Sequence, residues 1–391
     1  MLEFSKVAVC ETTRARAGFL KFPHNVNIPT PVFMPVGTQG GIKGLLASQV
    51  KNASCSLILG NTYHLGLHPG LSSLRKMKGM KRLYCWNYAL LTDSGGFQMV
   101  SLSKLSTVSE DGVLFTSPRN SEVMLLTPEL SMEFQNAIGS DIIMQLDDVV
   151  SPKSEESRIV EAMNRSIRWL ERAKVKVQTY TNQSLFPIVQ GGTNIEYRNQ
   201  SITGISQCDF EGVAIGGLCG GEEKEKFWET INYCTSVLAN NKPIYSMGVG
   251  YLTDILVCVA LGVDMFDCVY PTRTARFGTA FVPEGSISLK SAEYEDDFHP
   301  ISETCNCYTC LNYSRAYLHA IVTRDTVGCH LVTIHNIHFY MNFMKGLRDS
   351  IIEQRFPMHA KAILNRFYSQ DIPSWIDNVF RSIGIEISLS K

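Results

Sequence analysis

The sequence lacks a run of about 20 apolar residues, an excess of either charge, and any internal repeat or low-complexity stretch. The first absence argues against a membrane-spanning helix, and the N-terminal stretch lacks the basic-then-apolar layout of a secretory signal. With 36 Lys and Arg against 37 Asp and Glu, a strongly basic nucleic-acid coat is excluded, whereas a local basic groove is not. We therefore expect a cytosolic protein, and leave association with the mitochondrial periphery open.

The chain has 391 residues, of which 45% are hydrophobic, so it can bury a large core. An α/β barrel of more than about 250 residues commonly forms a single unit. Most of the twelve cysteines stand singly in apolar runs, as do Cys55, Cys85, Cys208, Cys234, Cys258 and Cys268. Isolated cysteines of this kind are typical of small buried apolar residues in a reducing compartment.

Short apolar, β-prone runs recur eight times along the chain. They cover residues 31–36, 56–60, 88–92, 141–146, 185–190, 211–217, 243–248 and 264–269. Helix-patterned segments, such as 154–178 and 223–240, occupy most of the gaps. This alternation predicts an α/β fold, a (β/α)₈ TIM barrel, with a doubly wound open sheet as the alternative.

A cysteine cluster, CNCYTC, contains Cys305, Cys307 and Cys310, and His335 follows 25 residues after the last of them. Three thiolates and one imidazole complete a tetrahedral Zn²⁺ shell with no open position, which favours one structural zinc per chain. The alternative is free thiols or disulfides in a loop. His330, His338 and Cys329 are competing candidates for the fourth ligand, and they stay open at this point.

Two segments interrupt the alternation and predict insertions. Residues 108–126 read as a hairpin after the third strand, and residues 274–294 as a hairpin after the eighth. We therefore expect a decorated barrel over residues 1–300. A zinc-binding and helical C-terminal subdomain over residues 301–391 would pack on that barrel.

Polar or flexible residues stand at or just past the end of six predicted strands. They are Asp93, Asp147, Gln190, Gly217, Met247 and Asp267. The C-terminal strand ends of a barrel converge on one face, where active sites are built. A single carboxylate could merely cap the following helix, but several strands presenting such groups favour a site.

Several segments carry a family resemblance when they are taken in order. They are LLTDSGGFQMVSL, DIIMQLDDVV, FPIVQGG, VAIGGL, YSMGVG and MFDCVYPTRTAR, followed by CNCYTC. With these segments in this order, the part of the chain from Arg14 to His338 resembles the tRNA-guanine transglycosylases. The resemblance implies a pentosyltransferase that exchanges guanine at anticodon position 34 of tRNAs with GUN anticodons (Tyr, His, Asn, Asp). Exchange would proceed through a covalent ribosyl-enzyme intermediate.

The resemblance also implies two catalytic carboxylates. Base exchange with retained configuration needs two successive displacements, of which the first requires a nucleophile opposite the leaving base. By similarity Asp267 is that nucleophile, and Asp93 is the general acid and base that moves protons on the two bases. The alternative for each is an aspartate that caps a helix or holds a turn.

Base recognition is implied by the same comparison. Asp147 matches the acceptor for guanine N1–H and its amine, while Gln190 and the Gly217 N–H match the donors to O6. Phe97 and Met247 match the two faces of a stacking slot, although both could be core residues.

Further positions match the family near the nucleophile and in the pocket wall. Tyr245 matches a tyrosine beside the nucleophile, and Arg273 and Arg276 match residues that contact bases flanking the target. Val149 and Gly220, like Phe97, stand where bacterial members carry other residues, and together they indicate the eukaryotic, queuine-inserting type. A glycine at position 220 would leave room for the cyclopentenediol of queuine.

The resemblance implies tRNA and queuine as substrates, and a heterodimer with a related non-catalytic subunit or a homodimer. One alternative is that this chain is itself the non-catalytic, RNA-docking subunit. Another is an unrelated barrel hydrolase with a structural zinc. The joint presence of Asp93, Asp147, Gln190 and Asp267 favours the catalytic chain over both.

Overall fold

Short parallel strands form the centre of the molecule, in a computed structural model that describes residues 1–96, 106–116, 123–180, 182–207, 209–368 and 370–387. Its strands in chain order are β1 (Glu3–Val9), β2 (Arg16–Lys21), β3 (Asn27–Thr30), β4 (Val32–Gly37), β5 (Leu57–Gly60), β6 (Ala89–Thr92), β7 (Ser106–Val108), β8 (Val113–Thr116), β9 (Val123–Leu126), β10 (Ile142–Met144), β11 (Ser184–Phe186), β12 (Ile188–Val189), β13 (Val213–Ile215), β14 (Ile244–Ser246), β15 (Met265–Cys268), β16 (Thr279–Val282) and β17 (Gly285–Ser288).

The helices mostly follow the strands of the parallel sheet. They are α1 (Ala47–Asn52), α2 (Thr62–Leu65), α3 (Leu71–Met77), α4 (Met80–Leu83), α5 (Pro128–Ile138), α6 (Glu156–Val177), α7 (Ile195–Ile205), α8 (Lys224–Val237), α9 (Leu252–Ala260), α10 (Tyr270–Ala275), α11 (Tyr308–Asn312), α12 (Arg315–Ile321), α13 (Thr326–Ile352), α14 (Phe356–Phe367) and α15 (Ser374–Ser382). In the described parts of the chain, none of these helices has the length and apolarity that crossing a membrane requires.

The parallel sheet closes on itself. Its order is β11-β10-β6-β5-β4-β15-β14-β13-β12, and its two end segments, β11 and β12, are successive parts of one strand. Only Pro187 separates them, and proline has no N–H to continue the ladder. Both neighbouring strands still bond here: Gln145 N–H donates to the Phe186 carbonyl at 3.3 Å, and Ala214 N–H to the Pro187 carbonyl at 2.8 Å. The predicted (β/α)₈ barrel is therefore confirmed, and the open sheet was the wrong alternative.

Local sequence signals explain where the barrel helices begin and end. The Thr127 hydroxyl accepts the N–H of Leu130 at 3.1 Å, Pro128 occupies the first turn of α5, and Gly139 ends the helix at a φ of 75°. A hydroxyl cap, an early proline and a left-handed glycine are the signals that delimit helices. The two helices predicted over 154–178 and 223–240 are confirmed as α6 and α8.

An N-terminal antiparallel sheet, β1-β2-β3, closes the N-terminal end of the barrel. Leu20 and Ile28 pack with inward-facing barrel residues such as Met34 and Met265. At the same end the Arg16 guanidinium binds Asp264 in a buried ion pair at 2.6 Å. This sheet was not predicted from the sequence. It leaves the opposite, C-terminal end of the barrel open for a site.

Both predicted insertions are present. The first, after β6, is the three-stranded antiparallel sheet β7-β8-β9, one strand more than the predicted hairpin. The second is the hairpin β16-β17, whose Ala280 and Val282 pack in one apolar cluster with Cys307 and Cys310. The long helix α13 packs against α10 and β4 and supports this region. The division into residues 1–300 and 301–391 stays a prediction.

Candidate active site

The C-terminal strand ends bring five of the six predicted positions into one connected set of contacts, and Met247 lies beside them. Asp93 follows β6 and interacts electrostatically with Asp267 on β15 and with Asp147 after β10. Asp147 in turn accepts a hydrogen bond from the Gln190 amide at 2.6 Å. Met247 Sδ lies 3.5 Å from the position that a Cβ atom on Gly216 would occupy. Three carboxylates, an amide and a thioether therefore face the same end of the barrel.

Asp267 is held by two donors on one oxygen. The Tyr245 hydroxyl donates to Oδ1 at 2.6 Å and the Gly248 N–H donates to the same atom at 2.8 Å. Gly248 has a φ of 76°, a left-handed conformation that suits glycine. No donor of the described chain contacts Oδ2, and burial raises the pKa of Asp267. Asp267 thus has one oriented oxygen and one oxygen without a donor in the described chain.

Asp93 is held by residues that sequence reasoning missed, at the end of β5. Asn61 Nδ2 donates to its Oδ2 at 2.5 Å, and the Thr62 N–H donates to Oδ1 at 2.8 Å. Burial is the main cause that raises the pKa of Asp93 to about 7, and the negative charges of Asp267 and Asp147 add to it. A carboxyl that titrates near neutrality can both give and accept a proton there. The available signal was Asn61 directly after the apolar run SLILG.

Asp147 has one occupied and one unpaired oxygen. Its Oδ2 accepts the Gln190 amide, while its buried Oδ1 has no hydrogen-bond partner in the described residues. Burial raises the pKa of Asp147 to about 6, although the nearby Ser94 hydroxyl and the Gln190 amide lower it. A buried acceptor without a donor is costly, so this atom indicates a ligand that carries N–H groups.

Gly217 permits the close packing of the base-reading residues. A Cβ at this position would lie 2.3 Å from Gln190 Oε1, and the φ of 67° is itself unfavourable for a side chain. Gly217 therefore has to be a glycine for Gln190 to reach Asp147. The Gln190 amide and the Gly217 N–H, which are the predicted donors to the base, thus lie together with Asp147, the predicted acceptor. The three residues follow adjacent strands.

The loop that follows Asp147 is fixed by an ion-pair cluster that was also missed. The buried Asp148 carboxylate binds Arg158 at 2.6 Å and Arg165 at 2.5 Å, both on α6. Breaking such a buried pair by removing one partner is strongly destabilising. The cluster therefore anchors the loop that carries Asp147 and the half-buried Val149.

Gly220 lies against this same loop. A Cβ at Gly220 would come within 2.6 Å of Pro152 Cδ. Its N–H and that of Cys219 donate to the Glu222 carboxylate at 2.9 and 2.6 Å. Close packing on Pro152 is thus a second reason for glycine, beside the predicted space for a ligand. Phe97, the other predicted face of the stacking slot, lies outside the described residues.

Arg273 lies on α10, shortly after Asp267 in the chain, and Arg276 directly follows that helix. Arg273 is exposed, and Arg276 is half-buried with its Nη1 donating to the Thr272 carbonyl at 3.1 Å. Neither guanidinium pairs with a carboxylate of the described chain. Both cations are therefore available to an external anion beside the barrel mouth.

The cysteine cluster forms a structural zinc site. The ligand atoms of Cys305, Cys307, Cys310 and His335 lie within 4.8 Å of one another. The His335 Nδ1 lies 3.7, 3.6 and 3.3 Å from the three sulfurs, close to the roughly 3.5–4 Å edge of a tetrahedral zinc shell. Its Nε2 bonds the Phe281 carbonyl at 2.7 Å, which orients the ring. Four protein ligands leave no position for a reacting water.

The three competing ligands are engaged elsewhere. His338 Nε2 bonds Asn306 Oδ1 at 2.9 Å, and the Cys329 thiol bonds the Arg276 carbonyl at 3.7 Å. His330 lies beside Gly44. His335 is therefore the fourth ligand, as predicted.

A closed (β/α)₈ barrel with buried carboxylates at its C-terminal mouth and a saturated Cys₃His site defines a zinc-containing barrel enzyme. The family model described as queuine tRNA-ribosyltransferase matches residues 10–369. The chain is similar to the queuine tRNA-ribosyltransferase catalytic subunit of Schizosaccharomyces pombe, at 48% identity over 99% of this chain and 98% of the relative. The corresponding subunit of Caenorhabditis elegans is 46% identical over 95% and 97%. The queuine tRNA-ribosyltransferase of Caldanaerobacter subterraneus is 43% identical over 91% and 95%. The chain belongs to the queuine tRNA-ribosyltransferase family.

The first prediction concerns the metal. Cys307→Ser should lose zinc and unfold at a lower temperature, because formation of the site is coupled to local folding. Elemental analysis should find one zinc per wild-type chain and much less in the variant. Cys329→Ser, which alters a neighbouring thiol outside the cluster, should keep its zinc. Full zinc content in the Cys307 variant would contradict this assignment.

The second prediction concerns Asp93, whose pKa is raised from 3.8 to about 7 in the folded state. Between pH 4 and 7 the Asp93 carboxyl is deprotonated in the unfolded chain but protonated in the folded chain. The contribution of Asp93 to wild-type stability therefore falls as pH rises. Asp93→Asn removes this titration. Its stability relative to wild type should therefore rise from pH 4 to 7 and level off above, as measured by denaturant unfolding.

Asp297→Asn is the matched control. The His299 and Arg315 groups lower the pKa of Asp297 to about 2, so its contribution is nearly constant above about pH 5, where the carboxyl is ionised in both the folded and the unfolded chain. The stability difference for this variant should be flat across that range. A flat difference for Asp93→Asn as well would show that Asp93 is ionised throughout.

Proposed function

We propose that this chain is the catalytic subunit of a tRNA-guanine transglycosylase. It exchanges guanine at anticodon position 34 of tRNAs with GUN anticodons (Tyr, His, Asn, Asp) for queuine. The observation that carries the proposal is Asp267, whose Oδ1 is held by two donors while its Oδ2 has no donor in the described chain, and whose charge acts on Asp93. The names of the similar proteins support the same activity.

The reaction follows from two displacements at C1′ of the target nucleotide. Asp267 Oδ2 attacks C1′, the glycosidic bond breaks, and its electron pair leaves with guanine while Asp93 supplies a proton to the departing base. The nitrogen of the incoming queuine then attacks C1′ and displaces Asp267, and its proton passes to Asp93. Both carboxyls return to their starting states, and the configuration at C1′ is retained.

The contacts of the carboxyls suit these separate tasks. Burial raises the pKa of Asp93 to about 7, so this carboxyl can exchange a proton near neutral pH. Asp147 keeps its Oδ1 without a partner in the described residues, and an ionised carboxylate there is an acceptor only, which fits guanine N1–H and the exocyclic amine. Gln190 and the Gly217 N–H then serve O6.

Zinc has a structural task in this proposal. When bound, it holds Cys305, Cys307, Cys310 and His335 in one shell, and it takes no part in proton or base transfer. The His335 contact to Phe281 on β16 links that shell to the segment that follows α10.

We also propose that the chain pairs with a related non-catalytic subunit rather than with a second copy. The name "catalytic subunit", which two similar proteins carry, supports a second kind of subunit. Exposed Tyr308, Leu311 and Tyr317 beside the zinc site offer an apolar surface for it. Light scattering of the chain alone and with that subunit distinguishes the two arrangements.

A cytosolic location is a further proposal, supported by cysteines that form no disulfide in the described chain.

The third prediction tests the nucleophile. Asp267→Ala should abolish base exchange but keep the fold and much of the tRNA binding, because only the attacking oxygen is lost. Wild-type protein given tRNA without an incoming base should form a covalent RNA adduct, seen on denaturing gels. Asp297→Asn, outside the site, should form the same adduct. An adduct in the Asp267→Ala variant would contradict the assignment of Asp267 as the nucleophile.

The fourth prediction tests queuine specificity at Gly220. Guanine and queuine share the edge read by Asp147, Gln190 and Gly217, so discrimination needs the wall facing the side group. Overpacking of a tight site costs about 1–3 kcal/mol, or one to two decades in affinity. Gly220→Val should therefore raise the KM for queuine by that factor and affect guanine exchange far less.

The contact with Pro152 supplies the control for this variant. If valine acts only by pushing the Pro152 loop, Pro152→Ala in the Gly220→Val background should restore both bases alike. If valine fills the queuine space, Pro152→Ala should leave the loss for queuine in place. Equal losses for the two bases in Gly220→Val would leave Gly220 as a structural glycine.

The fifth prediction concerns the arginines after the nucleophile, which we propose contact the anticodon loop. Arg276→Ala and Arg273→Ala should weaken tRNA binding and flatten its salt dependence, because fewer counterions are released. Binding titrations at several salt concentrations measure this. Lys345→Ala, which breaks an exposed ion pair with Asp349, is the matched charge control. Unchanged binding and an unchanged salt slope for Arg276→Ala would remove it from the interface.

A further inference from the structure

Arg198 on α7 is a fully buried cation. Its side chain is 0% exposed, and it forms no ion pair with any carboxylate of the described chain. Instead its Nε, Nη1 and Nη2 donate to the backbone carbonyls of Gly192, Val189 and Gly216 at 2.8, 2.7 and 2.8 Å. Burial of a charge without a counter-charge is unfavourable, so these contacts have to compensate for it.

The carbonyls that Arg198 binds belong to the base-reading segments. The Gly216 carbonyl is in the same peptide unit as the Gly217 N–H, the proposed donor to the O6 atom of the base. The Val189 carbonyl is in the same peptide unit as the N–H of Gln190, which in turn donates to Ser201 Oγ at 3.0 Å. One side chain therefore holds the backbone of both residues that are proposed to serve O6.

A cation on these carbonyls has two physical effects. First, it fixes peptide planes in a segment of high backbone freedom, because Gly192 and Gly217 have φ values of 58° and 67°. Second, a charge-assisted hydrogen bond to a carbonyl polarises its peptide unit and makes the N–H on the other side a stronger donor. Both effects strengthen a hydrogen bond from Gly217 to an oxygen.

We propose that Arg198 is a positioning residue that makes the site selective for a purine with an oxygen at C6. It acts through the Gly216–Gly217 peptide and does not itself touch the base. The inference rests on the proposed function, since it assigns a cause to the O6 contact of that function. A residue that only stabilised the fold would affect all bases equally.

The test compares guanine with 6-thioguanine, which keeps the N1–H and amine read by Asp147 but carries a weaker acceptor at C6. Apparent affinities are measured by exchange or by competitive inhibition of guanine exchange. Wild type should prefer guanine. In Arg198→Lys, which keeps the charge but cannot reach three carbonyls, this preference should fall about three- to tenfold, the range of one hydrogen bond.

Arg16→Lys is the matched control. Arg16 is also buried and binds the Asn240 and Lys242 carbonyls, together with Asp264, at the opposite end of the barrel. It should lower stability and leave the preference for guanine unchanged. Arg198→Gln replaces the lysine variant if that one does not fold.

Each outcome decides the matter. An active Arg198 variant with an unchanged preference would overturn the inference, as would a wild type that does not distinguish the two bases. If neither Arg198 variant folds while Arg16→Lys does, Arg198 serves the fold and the inference is wrong. A folded wild type that exchanges no guanine, either alone or together with the related subunit, would instead defeat the proposed function itself.

Discussion

The gathering of three carboxylates at one end of a closed barrel, with Asp147 buried and Asp93 and Asp267 half-buried, is the constraint on which the rest of this structure depends. Burial raises the pKa of Asp93 to about 7 and of Asp147 to about 6, and it raises that of Asp267 as well. The negative charges of Asp267 and Asp147 also raise the pKa of Asp93 by repulsion. Such a cluster is unfavourable for folding, so the surrounding residues have to hold it in place. Because each carboxylate has different hydrogen-bond donors around it, the three carboxylates differ in their chemistry.

The donors come from elements that are far apart in the chain. Asn61 and Thr62 hold Asp93, Tyr245 and Gly248 hold Asp267, and the Gln190 amide occupies one oxygen of Asp147. Two oxygens, Asp267 Oδ2 and Asp147 Oδ1, have no donor in the described chain. In the proposed reaction the first would meet the electrophilic carbon and the second the N–H groups of the base.

The zinc site contributes at a distance from this chemistry. Its ligand His335 lies on α13, Cys307 and Cys310 share an apolar cluster with the β16-β17 hairpin, and α13 packs along α10, which carries Arg273. A closed metal shell therefore stabilises the segment that follows Asp267. At the other end of the barrel, β1-β2-β3 and the Arg16–Asp264 pair fill the interior, so that only one mouth is open.

The sequence by itself determined the features that depend on local order: eight apolar runs with helices between them, the C-x-C-x-x-C spacing with His335, and the strand-end positions of Asp93, Asp147 and Asp267. The alternation of apolar runs, the spacing of the cysteines and the polar residues at strand ends each involve residues that are close in the chain, so the sequence alone shows them. Only the tertiary structure decided which groups meet. Sheet closure brings Gln190 to Asp147, Asn61 to Asp93, Arg198 to the Gly216 carbonyl and Pro152 to Gly220, because hydrogen bonds and packing between distant segments depend on distances in space that no local pattern records.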